Sequence, residues 1–207
     1  MAEVKKSLKL QKLVDKTLKE FADEIGSVEG KPEGGSAVAA TASMAASLAL
    51  LAANACPEGS VSEETIKELP ELSKYMLKQV DDFVRSRSPL RKRLAEEGTT
   101  VEEIESAARV ACGIPNEVVY LMCRNLEMLG EIADVCPDEQ VSNLLTAVHL
   151  SLGVIAAMRG EIKALSNHMM EFTFRYTVNR EAELNVQEHQ ELIDHLIEKL
   201  NNRLQKD

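Results

Sequence analysis

An uncharged stretch of twenty residues, 37–56, constrains the fold of this chain more than any other feature. Half of its residues are alanine, and it follows Pro32, Gly34, Gly35 and Ser36. Alanine combines high helix propensity with a small side chain, so the stretch predicts one helix that neighbouring helices approach closely. The first amides of a helix have no internal partner and lie at the positive end of its dipole. A glycine-rich opening of this kind suits an anion.

The glycine opening has two interpretations. It matches neither the phosphate-binding P-loop pattern nor GxGxxG after a strand. In the functional interpretation, Gly34, Gly35 and Ser36 present backbone N–H groups to a ligand. In the structural one, the two glycines permit a tight turn and Ser36 caps the helix. The local sequence leaves both open.

Twenty uncharged residues are also long enough to span a bilayer. Ser43, Ser47 and Asn54 interrupt the stretch, however, and the charged residues nearest to it, Glu33 and Glu58, are acidic. A membrane span usually has basic or aromatic flanks instead. The sequence therefore predicts the central helix of a soluble bundle rather than a membrane contact.

Composition narrows the class of protein. Aromatic residues make up only 3% of the chain, which disfavours a β-sandwich or barrel and predicts an aliphatic core. The net charge of −10 argues against nucleic acid as a partner and fits a cytoplasmic protein. Four cysteines without CxxC, and four histidines without HExxH or Glu-x-x-His, suggest no metal site.

Apolar periodicity and turn residues divide the chain into helices. We predict an all-α fold of six to seven helices in a single domain, residues 1–207, around the Ala-rich helix. Pro70 is expected to kink or reset one helix, and Gly113 to end another before Pro115 starts the next. The predicted helices cover 7–25, 36–55, 62–88, 99–112, 115–135, 138–166 and a last one from 181.

Two further groups of polar residues are candidates for binding or chemistry. A basic group in this acidic chain either binds an anionic ligand tail or is a solvated helix end. It comprises Arg85, Arg87, Arg91, Lys92 and Arg93. Polar residues on the Gly- and Ala-containing helix 138–166 either line a cleft or decorate its surface. They are Ser142, Asn143, His149, Arg159, Glu161 and Lys163.

Three blocks, taken in order, resemble the formiminotetrahydrofolate cyclodeaminase and methenyltetrahydrofolate cyclohydrolase family. PEGGSAVAATASMAASLALLAANA is similar to the family's glycine block and the small-residue helix behind it. AARVACGIPNEVVYLM resembles its Ala-rich helix followed by a proline helix start. CPDEQVSNLLTAVHLSLGVIAAM is similar to its turn, Ser-Asp pair and long Ala-rich helix. The resemblance covers residues 10–170.

The resemblance implies an all-helical homodimer that converts a tetrahydrofolate derivative without a metal, as a hydrolase or a lyase. The candidates for the reacting centre are Asn143, from the family's Ser-Asp pair, and His149, from the polar residues of helix 138–166. The residues implied for substrate binding are Gly34, Gly35, Ser36, Ser142, Arg159 and Lys163. No residue separates cyclohydrolase from cyclodeaminase activity.

Two departures from the family pattern affect the chemistry. Glu33 stands where the family has the first of three glycines, and Asn143 stands where it has aspartate. The reaction moves protons as water adds or ammonia leaves, and an asparagine amide does not accept a proton as a carboxylate does.

Three functions follow as hypotheses. The first is an active folate enzyme, in which another group has replaced the missing carboxylate. The second is a catalytically weakened relative that binds folate or acts as a dimeric helical interaction protein. The third is an unrelated helical adaptor whose Ala-rich helix only packs.

Overall fold

The computed structural model describes residues 12–28 and 32–205, and its regular structure there is entirely helical. Seven α-helices are present in these residues, which confirms the predicted all-α class and helix number. They are α1 Leu18–Ile25, α2 Gly34–Asn54, α3 Glu63–Ala95, α4 Val101–Val135, α5 Val141–Ser166, α6 Phe172–Glu188 and α7 Gln190–Leu204. Short 3₁₀ turns, Leu13–Asp15 and Asp138–Gln140, precede α1 and α5.

The Ala-rich helix α2 is central, as predicted, and packs against α3, α4 and α5. Its alanines from Ala39 to Ala53 that face these neighbours are almost inaccessible to solvent. Toward α3, the hydroxyl oxygen of Ser73 lies 2.9 Å from that of Ser43 and 2.8 Å from that of Ser47. Small side chains on α2 therefore bring the two backbones close and leave the hydroxyl groups paired.

The helices α3 and α4 are longer than the sequence predicted. Pro70 and Pro89 lie inside α3, and the predicted break at Gly113 and Pro115 is wrong because α4 continues through both residues. An internal proline removes a backbone hydrogen bond. Pro115 is itself buried, however, and Asn116 donates a side-chain hydrogen bond to the Cys112 carbonyl at 3.2 Å. Packing on this segment outweighs the local cost of the proline.

The two ends of the chain also differ from prediction. The predicted helix 7–25 lies partly outside the described residues, and its described part begins only at Leu18. There Thr17 and Glu20 form a capping box. The last helix was expected from 181, but α6 begins at Phe172 and a break at His189 separates it from α7. The His189 ring bonds the Asn185 carbonyl and the Glu127 carboxylate, which fixes the break against α4.

Among the described residues, two helical segments are long and apolar enough to cross a membrane by length and composition, α2 and 138–166. About half of each is buried inside the protein. Core helices of soluble proteins have the same property, and α2 occupies such a position here.

Candidate functional site

The glycine opening forms the start of α2, with Glu33 rather than Ser36 in the N-cap position. Gly34 is exposed, whereas Gly35 and Ser36 are buried. The Ser36 hydroxyl donates a 2.8 Å hydrogen bond to the Val80 carbonyl of α3. The expectation that Ser36 caps the helix is therefore wrong, because its hydroxyl joins α2 to α3.

The two glycines have different environments. A Cβ atom on Gly35 would lie 1.9 Å from the Phe83 ring, so the aromatic side chain of α3 occupies the space that any larger residue needs. A Cβ atom on Gly34 would meet only the Glu161 carboxylate, at 3.8 Å. Packing thus explains why residue 35 is glycine, while the Gly34 backbone remains open toward Glu161.

Four charged side chains meet at this end of α2, and we call them the α2-end ion cluster: Glu33, Arg87, Arg91 and Glu161. The Arg87 Nη1 atom lies 2.9 Å from a carboxylate oxygen of Glu33 and 2.9 Å from one of Glu161. Arg91 pairs with Glu33. The Arg87 guanidinium also stands over the Phe83 ring, 5.5 Å from its centre. Two positive and two negative charges balance here.

The α2-end ion cluster is partly desolvated. The side chains of Glu33, Arg87 and Glu161 are each only 21–25% exposed. Within the described residues, the buried Nε atom of Arg87 has no hydrogen-bond acceptor, and the Glu33–Arg87 ion pair lacks hydrogen-bond geometry. Coulomb attraction is stronger in such a site than at a fully solvated surface.

The basic residues predicted as one group divide into two sets. Arg85, Lys92 and Arg93 make pairs with Asp82 or Glu96 along α3, as solvated helix ends commonly do. Arg87 and Arg91 instead reach toward α2. The interpretation as solvated helix ends therefore holds for Arg85, Lys92 and Arg93. Arg87 and Arg91 have internal partners, and binding of an anionic ligand by them stays a prediction.

Ser142 and Asn143 lie far along α5 from this cluster. Eighteen residues separate Asn143 from Glu161, which is about 27 Å on a continuous helix. Ser142 is exposed, and the Asn143 amide donates a 2.9 Å hydrogen bond to the side chain of Gln140. A single chain does not bring Asn143 next to Gly34.

The remaining predicted residues, His149, Arg159 and Lys163, are exposed on α5. In the described part of the chain, none of their side chains takes part in a hydrogen bond or ion pair. Gly153 and Gly160, on the same helix, have open space where a Cβ atom would be. These residues form an open surface of α5.

A cavity of about 460 Å³ lies elsewhere, between α3 and α4, with Leu72, Tyr75 and Leu121 in its wall. Burial, with a hydrogen bond to Glu117, raises the pKa of Tyr75 to about 12. None of the predicted site residues lines this cavity. Most of its wall surface is apolar, although four of its lining residues, Glu68, Glu71, Lys74 and Lys78, are charged.

Within residues 12–28 and 32–205, no three His, Cys, Asp or Glu side chains are grouped to hold a metal ion. Burial raises the pKa of the Cys112 and Cys123 thiols to about 11, so these thiols stay protonated at neutral pH.

Sequence reasoning did not assign Phe83 or Glu33 to the site, and it gave Glu161 only as one of several polar candidates on helix 138–166. Phe83 appeared only as one member of an apolar stripe, and Glu33 only as a departure from a glycine pattern. Their meeting depends on how α2, α3 and α5 pack, for which local spacing carries no signal. The charge complementarity between Glu33 and the two arginines was the one clue available in the sequence.

A family model and a solved structure are similar to this chain. A model of the formiminotransferase-cyclodeaminase family matches residues 17–184. The solved structure of formiminotetrahydrofolate cyclodeaminase from Thermotoga maritima is similar with a TM-score of 0.72 and 20% identity. The match covers 91% of this chain and 96% of that one, and at this identity it shows the fold alone. No curated protein sequence matches at a significant level.

Proposed function

The chain belongs to the formiminotransferase-cyclodeaminase family, and from that premise we propose that it binds a tetrahydrofolate derivative and interconverts its one-carbon unit. The activity would be that of a methenyltetrahydrofolate cyclohydrolase or a formiminotetrahydrofolate cyclodeaminase. The family match across residues 17–184 is the observation that carries the proposal. The alternative within the same fold is a catalytically weakened protein that binds folate or a helical partner.

We propose that the folate lies along the open surface of α5. Asn143 and His149 are about 9 Å apart along the helix, and they would contact the reacting end of the ligand. Arg159 and Lys163 lie toward the other end of α5. Their charges, which have no partner among the described residues, suit the carboxylates of a glutamate tail. Ser142 and the exposed backbone of Gly34 would flank the two ends.

The chemistry requires a proton acceptor when water adds to the amidinium-like methenyl carbon. Asn143 offers hydrogen bonds that orient the ligand, and its neutral amide does not take up the proton. His149, exposed and unpaired in the described structure, is the nearest group on α5 with a nitrogen that accepts one. We therefore expect wild-type turnover to be weak.

We also propose a homodimer. Met44 and Leu51 of α2 are about half exposed, although the helix is strongly apolar. Exposed apolar residues on an Ala-rich helix suit close packing against a second copy.

A single cytoplasmic domain spanning residues 1–207 completes the proposal. One continuous core receives side chains from every helix from α2 to α7, which supports one folding unit. Cys112, Cys123 and Cys136 are free and buried, as is usual for thiols in a reducing compartment.

The experiment is a comparison of turnover with two substrates. Purified protein is mixed with methenyltetrahydrofolate while its absorbance is followed, and with formiminotetrahydrofolate while ammonia release is followed. Loss of either substrate above the buffer rate supports the enzyme and identifies the reaction. Folate binding without turnover supports the weakened relative. If the protein shows no folate binding and no turnover, the proposal is contradicted and the helical adaptor is the remaining hypothesis.

A further inference from the structure

Glu33 directs its carboxylate away from the helix that it precedes. The preferred N-cap residues, such as aspartate, accept a hydrogen bond from the first amides of their helix. The Glu33 side chain makes no such bond. It pairs instead with Arg87 and Arg91 of α3.

In these pairs the positive charges of Arg87 and Arg91 are neutralised, so they are less available to a ligand at the end of α2. Arg87 is shared between Glu33 and Glu161, whereas Glu33 is the partner that Arg91 has in the described structure. Neutralising Glu33 would therefore leave the α2-end ion cluster with one net positive charge and would release Arg91. Arg91 is 48% exposed, so a ligand in solution could reach it.

We propose that Glu33 is an internal competitor that occupies Arg87 and Arg91 and so selects against ligands with a highly anionic tail. The inference rests on the proposed function in one respect, that the ligand is a folate with a glutamate tail. A carboxylate tail that extends past Arg159 and Lys163 to the end of α2 meets Glu33 already bound to the arginines. Repulsion by the Glu33 carboxylate is weaker for ligands with one short tail than for ligands with several added glutamates.

The test uses Glu33→Gln, which keeps the shape of the side chain and removes its charge. Binding of inorganic pyrophosphate, and of 5-formyltetrahydrofolate with one or with three glutamates, is measured by calorimetry at low salt. We expect Glu33→Gln to bind pyrophosphate and the triglutamate about tenfold more tightly than wild type, and the monoglutamate with a smaller gain. Glu96→Gln is the matched control, because Glu96 pairs with Arg93 and Lys92 farther along α3.

A second variant separates the competitor role from a fold defect. In Glu33→Gln combined with Arg91→Gln, the gain in affinity should disappear while the thermal midpoint stays near that of Glu33→Gln alone. The inference is overturned if folded Glu33→Gln binds pyrophosphate no more tightly than wild type. If Glu33→Gln gains pyrophosphate affinity but no variant binds either folate, the competitor role stands and the folate function fails.

Discussion

At position 35 the side chain can only be a hydrogen atom, because the Phe83 ring fills the space beside it. The same contact orients Phe83 under the Arg87 guanidinium, so the residue that permits close packing also supports the ion cluster. A Gly-Gly pair in a sequence does not reveal which of the two glycines faces a neighbour. The sequence therefore predicted a shared role for Gly34 and Gly35, and only the packing of α2 on α3 separates them.

The first prediction compares alanine at the two glycine positions. Gly35→Ala should lower the free energy of unfolding by about 2 kcal/mol or more, because overpacking a core costs ~1–3 kcal/mol and this clash is severe. Gly34→Ala should be neutral or slightly stabilising, since a Cβ atom fits there and alanine favours helix. Urea unfolding of both variants measures the difference. Equal stability of the two would contradict the packing role of Gly35.

The second prediction concerns Asn143. If the folate lies along α5 as proposed, Asn143→Asp should raise methenyltetrahydrofolate turnover at least tenfold, because a positioned general base contributes about 10²–10⁴-fold. The new carboxylate must also give up the hydrogen bond that Asn143 donates to Gln140. Asn143→Ser is the control, since it loses the same bond without gaining a base. Robust wild-type turnover that His149→Ala abolishes would show that His149 is the main proton acceptor.

At the scale of elements, helix length was where local sequence signals failed. Gly113 and Pro115 are ordinary helix-ending residues, yet α4 passes through both. Buried side chains before and after them, including Ala111 and Val118, hold the segment against the rest of the core. Tertiary packing overrides propensity in this way when a weak position lies between two strongly apolar ones. The apolar periodicity itself was sufficient to place most of the helices.

The third prediction concerns the start of α3, which Glu131 of α4 holds. Its carboxylate accepts hydrogen bonds from the Thr65 hydroxyl at 2.6 Å and from the Ser62 backbone N–H. Burial tends to raise the pKa of Glu131, but these hydrogen bonds outweigh it and keep the pKa below the ordinary 4.5. The charged form therefore stabilises the fold above that pH, and the stabilisation is lost as the pH falls through the lowered value.

Glu131→Gln should accordingly reduce the free energy of unfolding by about 1 kcal/mol at pH 7, with the difference from wild type shrinking toward pH 3. Urea unfolding at both pH values provides the measurement. Glu139→Gln, at an exposed position of the 3₁₀ turn before α5, is the control and should match wild type throughout. A pH-independent loss in Glu131→Gln would indicate a packing role rather than a charged cap.

For the whole molecule, composition predicted the class because few aromatic residues and many alanines favour close-packed helices. Composition and order did not predict the site. Gly34 and Asn143 belong to consecutive blocks of the family pattern, but which ends of two helices meet depends on their packing direction. Glu161 reaches Gly34, so Asn143 lies about 27 Å away along α5. Distances of this kind exist only in the assembled fold.

The fourth prediction concerns assembly. Light scattering at micromolar concentration should give twice the 22.8 kDa chain mass, and an obligate interface should bury about 2,000 Å² or more. Leu51→Arg, at a half-exposed residue of α2, should shift the protein toward monomer. Thr177→Arg, exposed on α6, is the control and should leave the mass unchanged. A 22.8 kDa species in wild type would contradict the dimer.

The most direct test of the central claim is equilibrium binding of 5-formyltetrahydrofolate to the wild-type protein, because binding is required whether or not the chain is active. We predict saturable binding of one folate per chain. A ligand concentration a hundred times the dissociation constant should then stabilise the fold by about 2.7 kcal/mol. Arg159→Ala combined with Lys163→Ala should weaken the binding without lowering the thermal midpoint of the free protein. If the wild-type protein shows neither saturable binding nor a thermal shift, a folate function for this chain is contradicted.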